Sequence, residues 1–406
     1  MGTRTIMHVD MDAFFVACEV RRDPSLVGKA VIVGGSPDGR GVVCSASYEA
    51  RRFGVRSAMP SSQAKRLCPE AIFLCGHMED YVETSRRLRA LFEEATPVVE
   101  MASLDEAYLD LTGTERLWGS PRAVAERLRD RIRETEGLPA SFGVGTTKTI
   151  AKIASDWKKP QGLVIVEPGR EAEFLAPMPL RRLPGIGPKT HERLAGWGLK
   201  VIGDLAALGP ERLAQVFGEG GRDLWARAVG QDTGRVTPSR ERKSIGREMT
   251  FDTDVDDMET ALAELSRLAE DVASRLRAKG FSAQHLTLKL RHSDFKTLTR
   301  ASTFPTPTNL ETDLFSTARE LLGRHWTRRV RLRLLGLSCS GLVEDVPQLD
   351  LLEGPHRERQ AHLASAIDAI RKRHGAEAIR RGSSAPPKTS TALPPWETGG
   401  QEPDPH

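Results

Sequence analysis

Apolar residues run through Thr5–Asp12, alternating with polar ones from His8 onward, and make a short strand that turns acidic as it ends. The spacing then becomes helical from Ala13 to Arg22, a segment opening with Phe14-Phe15. Strands at Ala30–Val33, Gly41–Ala46 and Ala71–Leu74, with helices over Tyr48–Phe53 and Ser61–Leu67, make a small lobe ending near Gly76. A long helix runs from Met78 to Glu94. Two strands, Val98–Ser103 and Ala107–Leu111, follow as a hairpin broken at Asp105-Glu106. A helix over Pro121–Glu134, a strand at Ser141–Gly145, a helix over Lys148–Trp157 and a strand at Gly162–Val166 close the lobe. Strands and helices alternating with crossings predict an α/β or α+β core in which 1–20 and 77–168 share one sheet.

Residues 169–234 read as helical throughout. Within them Leu183-Pro184-Gly185-Ile186-Gly187 is a Gly-x-Gly turn between two short helices, the helix-hairpin-helix pattern. Such glycines let backbone N–H groups approach a phosphate, and Lys189 follows at once. Gly218-Glu219-Gly220-Gly221 reads as a degenerate second turn. Residues 235–244 are polar, basic and without periodicity, so they read as a linker. Beyond it the pattern is strand (Ile245–Phe251), helix (Met258–Lys279), strand (Gln284–Arg291), strand (Thr297–Phe304), helix (Glu311–His325) and strand (Val330–Ser338), a βαββαβ module. Gln348-Leu349-Asp350-Leu351-Leu352 is an apolar peptide in polar surroundings, followed by an amphipathic helix near Arg357–Arg373. From Ser383 onward Pro, Ser, Thr and Gly dominate, which predicts disorder.

The 406 residues suffice for several domains with sizeable cores. No apolar run reaches the length of a membrane span, and Asp10, Asp12 and Glu19 stand where a secretory signal would be apolar. Five scattered cysteines without zinc spacing predict reduced thiols and a cytoplasmic setting. The net charge of +4 is unevenly spread. Residues 1–175 carry 24 Lys/Arg against 25 Asp/Glu, and residues 235–340 carry 19 against 14. An acidic first half with basic segments behind it suits metal chemistry beside a polyanion.

The chemistry converges on three acids. Neighbouring side chains of a strand point to opposite faces, so Asp105 and Glu106 can share a cation only if the backbone turns between them. Alone, that pair reads as a solvated hairpin tip. Asp10, at a strand end, supplies a third carboxylate, and hard oxygen donors suit Mg²⁺. Tyr48 and Arg51 lie one turn apart on a helix, and Arg is suited to forked contact with phosphate. In the C-terminal module Lys289 with Arg291, and Arg331 with Arg333, recur at period two, with Lys296 and Arg300 nearby. A sheet presenting a basic face fits sequence-independent contact with a nucleic-acid backbone.

Several stretches together resemble the Y-family of translesion DNA polymerases, in its bacterial DNA polymerase IV branch. They are His8-Val9-Asp10-Met11-Asp12-Ala13-Phe14-Phe15, Ser45-Ala46-Ser47-Tyr48-Glu49-Ala50-Arg51-Arg52-Phe53-Gly54-Val55, Ser103-Leu104-Asp105-Glu106-Ala107-Tyr108-Leu109-Asp110, Ala151–Asp156 with Lys159-Pro160, Pro184–Gly187 and Arg242-Lys243-Ser244-Ile245-Gly246. They stand in family order and span roughly residues 5–340.

The resemblance implies an α+β multidomain right-hand polymerase. Its parts would be a palm (1–20 and 77–168), fingers (21–76), a helix-hairpin-helix thumb (169–234), a linker (235–244) and a βαββαβ little finger (245–341). Residues 342–382 would carry a clamp-binding peptide and helix, and 383–406 a disordered tail. It further implies template-directed nucleotidyl transfer of low fidelity, without proofreading, using two Mg²⁺ ions that Mn²⁺ could replace. Asp10, Asp105 and Glu106, with the Met11 backbone carbonyl, match the metal ligands. Phe14, Phe15, Ser45, Tyr48, Arg51 and Lys159 match the nucleotide-binding positions. Ser45 replaces a commoner threonine and keeps the hydroxyl. Phe15 matches the steric gate that leaves no room for a 2′-hydroxyl.

Gly185, Gly187, Lys189, Lys243, Ser244, Lys289, Arg291, Arg300, Arg331 and Arg333 are the expected DNA contacts. Gln348, Leu349, Leu351 and Leu352 resemble the peptide that binds a replication sliding clamp, with Leu352 where an aromatic is frequent. Primer-template DNA, deoxynucleoside triphosphates and the clamp are the implied partners of a monomeric, nucleoid-associated enzyme. The alternatives are a catalytically silent helix-hairpin-helix DNA-binding protein and a helix-hairpin-helix repair nuclease. Both dispense with a deoxynucleoside triphosphate.

Overall fold

A computed structural model describes residues 3–238, 241–327, 329–344, 354–375, 378–379 and 382. The chain divides into two compact units, one ending at Arg240 and one beginning at Glu241.

The first unit is built on the strand Ile6–Met11, all six residues of which are buried. It is central to a five-stranded sheet, flanked by the strands Glu106–Asp110 and Ala140–Gly145, with Val99–Met101 and Leu163–Ile165 at the edges. Residues from both ends of the first lobe therefore share one sheet, as the alternation of elements predicted. Met7, Val9 and Met11 enter a core with Phe92, Leu109, Ile132 and Phe142. The opposite face lies under the helix Lys148–Trp157, where Ile6 packs with Tyr108, Ala151 and Val236. That helix lies so close to the sheet that a Cβ on Gly143 would stand 2.1 Å from the Ala151 carbonyl oxygen, so no larger residue fits. The first strand gives way to the helix Phe14–Arg22 through Ala13, whose left-handed backbone (φ 48°) turns the chain within one residue. A short helix at Glu115–Trp118 was not legible in the periodicity.

Residues 21–76 form a separate three-stranded sheet, ordered Val43–Ala46, Val31–Gly34, Ile72–Leu74. The helix Tyr48–Arg51 leaves its first strand, capped by Ser47 Oγ, which accepts from the Ala50 N–H at 3.2 Å. It is shorter than the expected Tyr48–Phe53.

The next segment is helical, as expected: Glu171–Leu175, a 3₁₀ turn at Leu180–Arg182, Pro188–Ala195, Ile202–Ala207, Pro210–Phe217 and Glu219–Ala228. Gly185-Ile186-Gly187 joins the 3₁₀ turn to Pro188–Ala195, so the first arm of the hairpin is tighter than an α-helix. Of Gly218-Glu219-Gly220-Gly221, only Gly218 makes a turn; the rest begin a helix, and Gly221 packs so close to the Leu213 carbonyl, 2.2 Å from its Cβ position, that no side chain fits there.

The expected linker is anchored at its start. The Thr237 N–H donates to Glu100 Oε2 at 2.9 Å, Val236 is buried, and Arg4 donates to the Gly234 carbonyl at 2.7 Å. Polar composition cannot distinguish a free tether from a segment strapped down by backbone hydrogen bonds.

In the second unit four antiparallel strands run in the order Thr297–Thr308, Phe281–His292, Leu332–Glu344, Ser244–Val255. With the helices Met258–Ala278 and Glu311–His325 this is the expected βαββαβ module. Leu286, Leu288, Leu290, Leu335, Leu337 and Cys339 face the helices. The helix Gly354–His374 lies against them through Arg277–Asp368 at 2.7 Å and Arg357–Asp313 at 3.1 Å. The candidate clamp peptide Gln348–Leu352 and the tail from Ser383 lie outside the described residues.

Candidate active site

The acids meet because of strand pairing. Asp10 and Glu106 are register partners across adjacent antiparallel strands, and the Met11 N–H donates to the Asp105 carbonyl at 2.9 Å. Ser103 makes the required turn. Its Oγ accepts from the Glu106 N–H at 3.0 Å and donates to Asp105 Oδ1 at 2.6 Å. One cleft is lined by Asp10, Met11, Asp105 and Glu106 together with Phe14, Phe15, Ser45, Arg51 and Lys159, with Ala13, Cys44 and Ser57 completing it. Tyr48 stands apart from that lining. Its hydroxyl donates to Asp12 Oδ1 at 3.1 Å, and the Arg51 guanidinium lies 4.7 Å from its ring centre.

Charge in this cleft is crowded and buried. Asp10 is 5 % exposed, and burial pushes its carboxyl up to about 7 against the opposing pull of Lys159, whose Nζ lies 2.6 Å from Oδ2. Burial works against the Lys159 charge too, yet Asp10 and Asp156 (2.9 Å) hold its pKa above the ordinary lysine value. Glu106 is held well below the usual carboxylate range by His8 and by Lys152, whose ammonium it contacts. Burial lowers His8, which is fully enclosed; its Nδ1 is 2.8 Å from Ser155 Oγ and its Nε2 3.5 Å from Glu106 Oε2.

Among the described residues no group of three or more metal-capable side chains stands at ligand spacing. Two lysine ammoniums hold the carboxylates instead. The donor set nonetheless fits a hard divalent cation: three carboxylates share one cleft, and Asp10 and Glu106 each draw a lysine for the positive charge that a cation would bring.

Phe14 is buried among core residues, whereas Phe15 is half-buried and faces the cleft, its ring stacked on Tyr81 at 4.5 Å and 18°. Asp12 is a residue that spacing did not single out. It is 2 % exposed, and it accepts from Tyr48, from Ser141 Oγ at 3.0 Å and from the Gln161 N–H at 2.7 Å. It thereby ties the small lobe and the Lys159 loop to the central strand. Only its place in Asp10-Met11-Asp12 hinted at a role.

Comparison with known proteins decides the family. Residues 9–156 match the impB/mucB/samB family, 168–199 the IMS family HHH motif, and 242–351 the impB/mucB/samB family C-terminal domain. The DNA polymerase IV of Desulfatibacillum aliphaticivorans is 41% identical over 382 residues, 93% of this chain and 96% of that one. The DNA polymerase IV of Halorhodospira halophila is 44% identical over 351 residues, 86% of this chain and 99% of that one. Among solved structures, a Y-family DNA polymerase chimera aligns with a TM-score of 0.75 at 26% identity, covering 84% of this chain and 99% of its own. The chain belongs to the Y family of DNA polymerases.

The candidate DNA contacts of this polymerase differ in quality. Gly185, Gly187 and Lys189 are exposed around the start of the helix Pro188–Ala195. Lys243 is exposed and Ser244 opens a strand. Lys289 and Arg291 lie on the helix-free face of the second sheet, but Lys289 is paired with Glu248 at 2.7 Å and Arg291 donates to Thr297 Oγ1 at 3.0 Å. Arg331 precedes its strand and pairs with Asp256 at 3.1 Å. Arg333 lies near Asp254 and 4.5 Å from the Phe295 ring. Arg300 is exposed and is the register partner of the inward Leu288, so it belongs to the opposite face from Lys289, because the strand period fixes its side once the pairing is set.

Proposed function

We propose that the enzyme is a low-fidelity polymerase that extends primers past damaged template bases by two-metal nucleotidyl transfer, without proofreading. The observation that carries the reading is the single cleft shared by Asp10, Asp105 and Glu106 with Phe15, Ser45, Arg51 and Lys159. Asp10, Asp105, Glu106 and the Met11 carbonyl would hold two Mg²⁺ ions, which Mn²⁺ could replace. Bound there, the ions would lower the pKa of the primer 3′-hydroxyl and neutralise the triphosphate and the leaving pyrophosphate.

The chain's own residues supply the rest. Ser45, Tyr48 and Arg51 hold the triphosphate, and Arg51 is fixed for this by donating to the Ala46 carbonyl at 2.9 Å. Lys159 serves Asp10 in the resting cleft and the triphosphate in the loaded one. Phe15 forms the floor beneath the sugar and excludes a ribose by its bulk.

Gly185, Gly187 and Lys189 grip the duplex backbone through open amides and charge, and the second unit adds Lys243, Ser244, Lys289, Arg291, Arg331 and Arg333. Gln348, Leu349, Leu351 and Leu352 would dock on a sliding clamp and raise the effective concentration at the primer end. The same reading makes it a monomeric, cytoplasmic enzyme working at the nucleoid. No helix among the described residues is long and apolar enough to cross a membrane. Primer extension with Mg²⁺, with and without deoxynucleoside triphosphates, tests the reading. Growth of the primer only when nucleotides are present is expected, and shortening or no change would overturn it.

A further inference from the structure

Phe15 and Glu19 lie four residues apart on the helix Phe14–Arg22 and so share one face. Both reach the same side chain. Tyr81, from the helix Met78–Ala95, stacks its ring on Phe15 and donates its hydroxyl to Glu19 Oε1. Tyr81 is 1 % and Glu19 4 % exposed. Glu19 lies outside the cleft lining, yet its carboxylate collects further bonds, from the His77 N–H at 3.2 Å and His77 Nδ1 at 2.9 Å.

A buried carboxylate is costly unless its hydrogen bonds are met. A phenylalanine at 81 would fill the same space and stack equally well, so packing alone explains neither the hydroxyl nor the acid. The surroundings are built around that hydroxyl. Gly76 (φ +81°) leaves room for it, since a Cβ there would stand 2.6 Å from Tyr81 Oη and 2.7 Å from Val33 Cγ1.

We propose that Glu19 is a positioning residue for sugar discrimination, acting through Tyr81 on Phe15. The inference rests on the reading of Phe15 as the floor beneath the incoming sugar. Stacked rings slide easily across one another, because dispersion attraction changes little with lateral offset. Exclusion by bulk, by contrast, is steep in distance, so a floor that slides discriminates poorly. The Glu19–Tyr81 bond removes that freedom: one helix holds the tyrosine at both ends, by the ring at Phe15 and by the hydroxyl at Glu19.

The test measures the ribo-to-deoxy ratio of kcat/KM in primer extension by the full chain, with thermal melts alongside. Tyr81→Phe, which keeps the stack and loses the tether, is expected to raise the ratio about fivefold to tenfold, the scale of one hydrogen bond. Deoxynucleotide use should change by less than about twofold on the same reasoning. Glu19→Leu should match it, and the double variant should go no further than either single one, since all three break the same bond. Glu19→Gln retains an oxygen acceptor and should restore most of the discrimination.

Phe15→Ala serves as the reference. If it raises the ratio while Tyr81→Phe and Glu19→Leu leave theirs unmoved, the positioning role is refuted and the floor reading survives. If ribo and deoxy activities of those two variants fall together with the melting temperature, Glu19 is a structural residue only. If Phe15→Ala itself leaves the ratio unchanged, the floor reading fails and the positioning role falls with it.

Discussion

The cleft of the first unit and the helix-free sheet face of the second both carry charge, and they use it in opposite ways. In the cleft, Asp10 and Lys159 are largely withdrawn from water and paired with each other, and Glu106 takes Lys152 from beside the cleft, so each partner is specific and the Asp10–Lys159 charges are expensive. On the sheet, Lys289 and Arg331 pair with Glu248 and Asp256 near the surface, where water and salt screen each contact. Removing one group from the first region should therefore abolish a function. Removing one from the second should shift an affinity.

The largest expected effect follows directly. Asp10→Asn or Asp105→Asn should lower nucleotidyl transfer by at least about a thousandfold, while DNA affinity stays within about twofold, since the proposed role of these carboxylates is to hold cations rather than DNA. Single-turnover extension and binding by fluorescence anisotropy measure the two. Similar extension rates for variant and wild type would remove the contrast between the regions.

Phe15→Ala comes next. As a sugar floor it should raise ribonucleotide use by about two orders of magnitude relative to deoxynucleotide use, with the triphosphate contacts intact. As a core residue it would cost roughly 3–5 kcal/mol of stability and move both activities together. The ratio of kcat/KM beside a melting curve separates these.

Burial raises Asp10 to about 7. A carboxyl whose folded pKa exceeds its unfolded one binds more protons when folded. Its contribution to stability is present below the unfolded value and is lost as pH rises through about 7. Glu106, shifted the other way, contributes its slope only at acid pH. Cation-free protein should thus lose melting temperature between pH 5 and pH 7.5 by an amount that Asp10→Asn abolishes, and Mg²⁺ should restore it. Denaturation curves at several pH values, with and without the ion, check the sign.

The smallest effects belong to the sheet. Neutralising Lys289, Arg291, Arg331 and Arg333 together should flatten the dependence of DNA binding on salt by about one to two contacts rather than four, because carboxylates already offset at least two of them. Glu248→Gln should act in reverse, tightening binding about twofold to threefold by freeing Lys289. A quadruple variant with an unchanged salt slope would show that another surface meets the DNA.

Much of this was legible before any fold was known. The βαββαβ order and the sheet shared by 1–20 and 77–168 follow from period-two and helical spacings, and the helix Glu311–His325 is readable to both ends because its polar and apolar positions are clean. The second-unit strands run 12–13 residues, longer than expected, because their ends carry residues that interrupt the apolar alternation marking a strand: Asp252 and Asp254 in one, Pro305 and Pro307 in another, Gly341 in a third. The convergence of Asp10 with Asp105 and Glu106 could be inferred as a requirement of the chemistry.

What the sequence by itself determined is local: element type, turn positions, and the residue types available for cation, phosphate and sugar. The tertiary structure decided who meets whom. Asp12 reaches Gln161 across 149 positions, Glu106 takes Lys152 as its partner, Val236 is buried where composition suggested a tether, and Arg300 falls on the helix side of its sheet. None of these leaves a periodic trace. Each depends on strand register and on the burial of a charge, and both exist only once distant segments have packed.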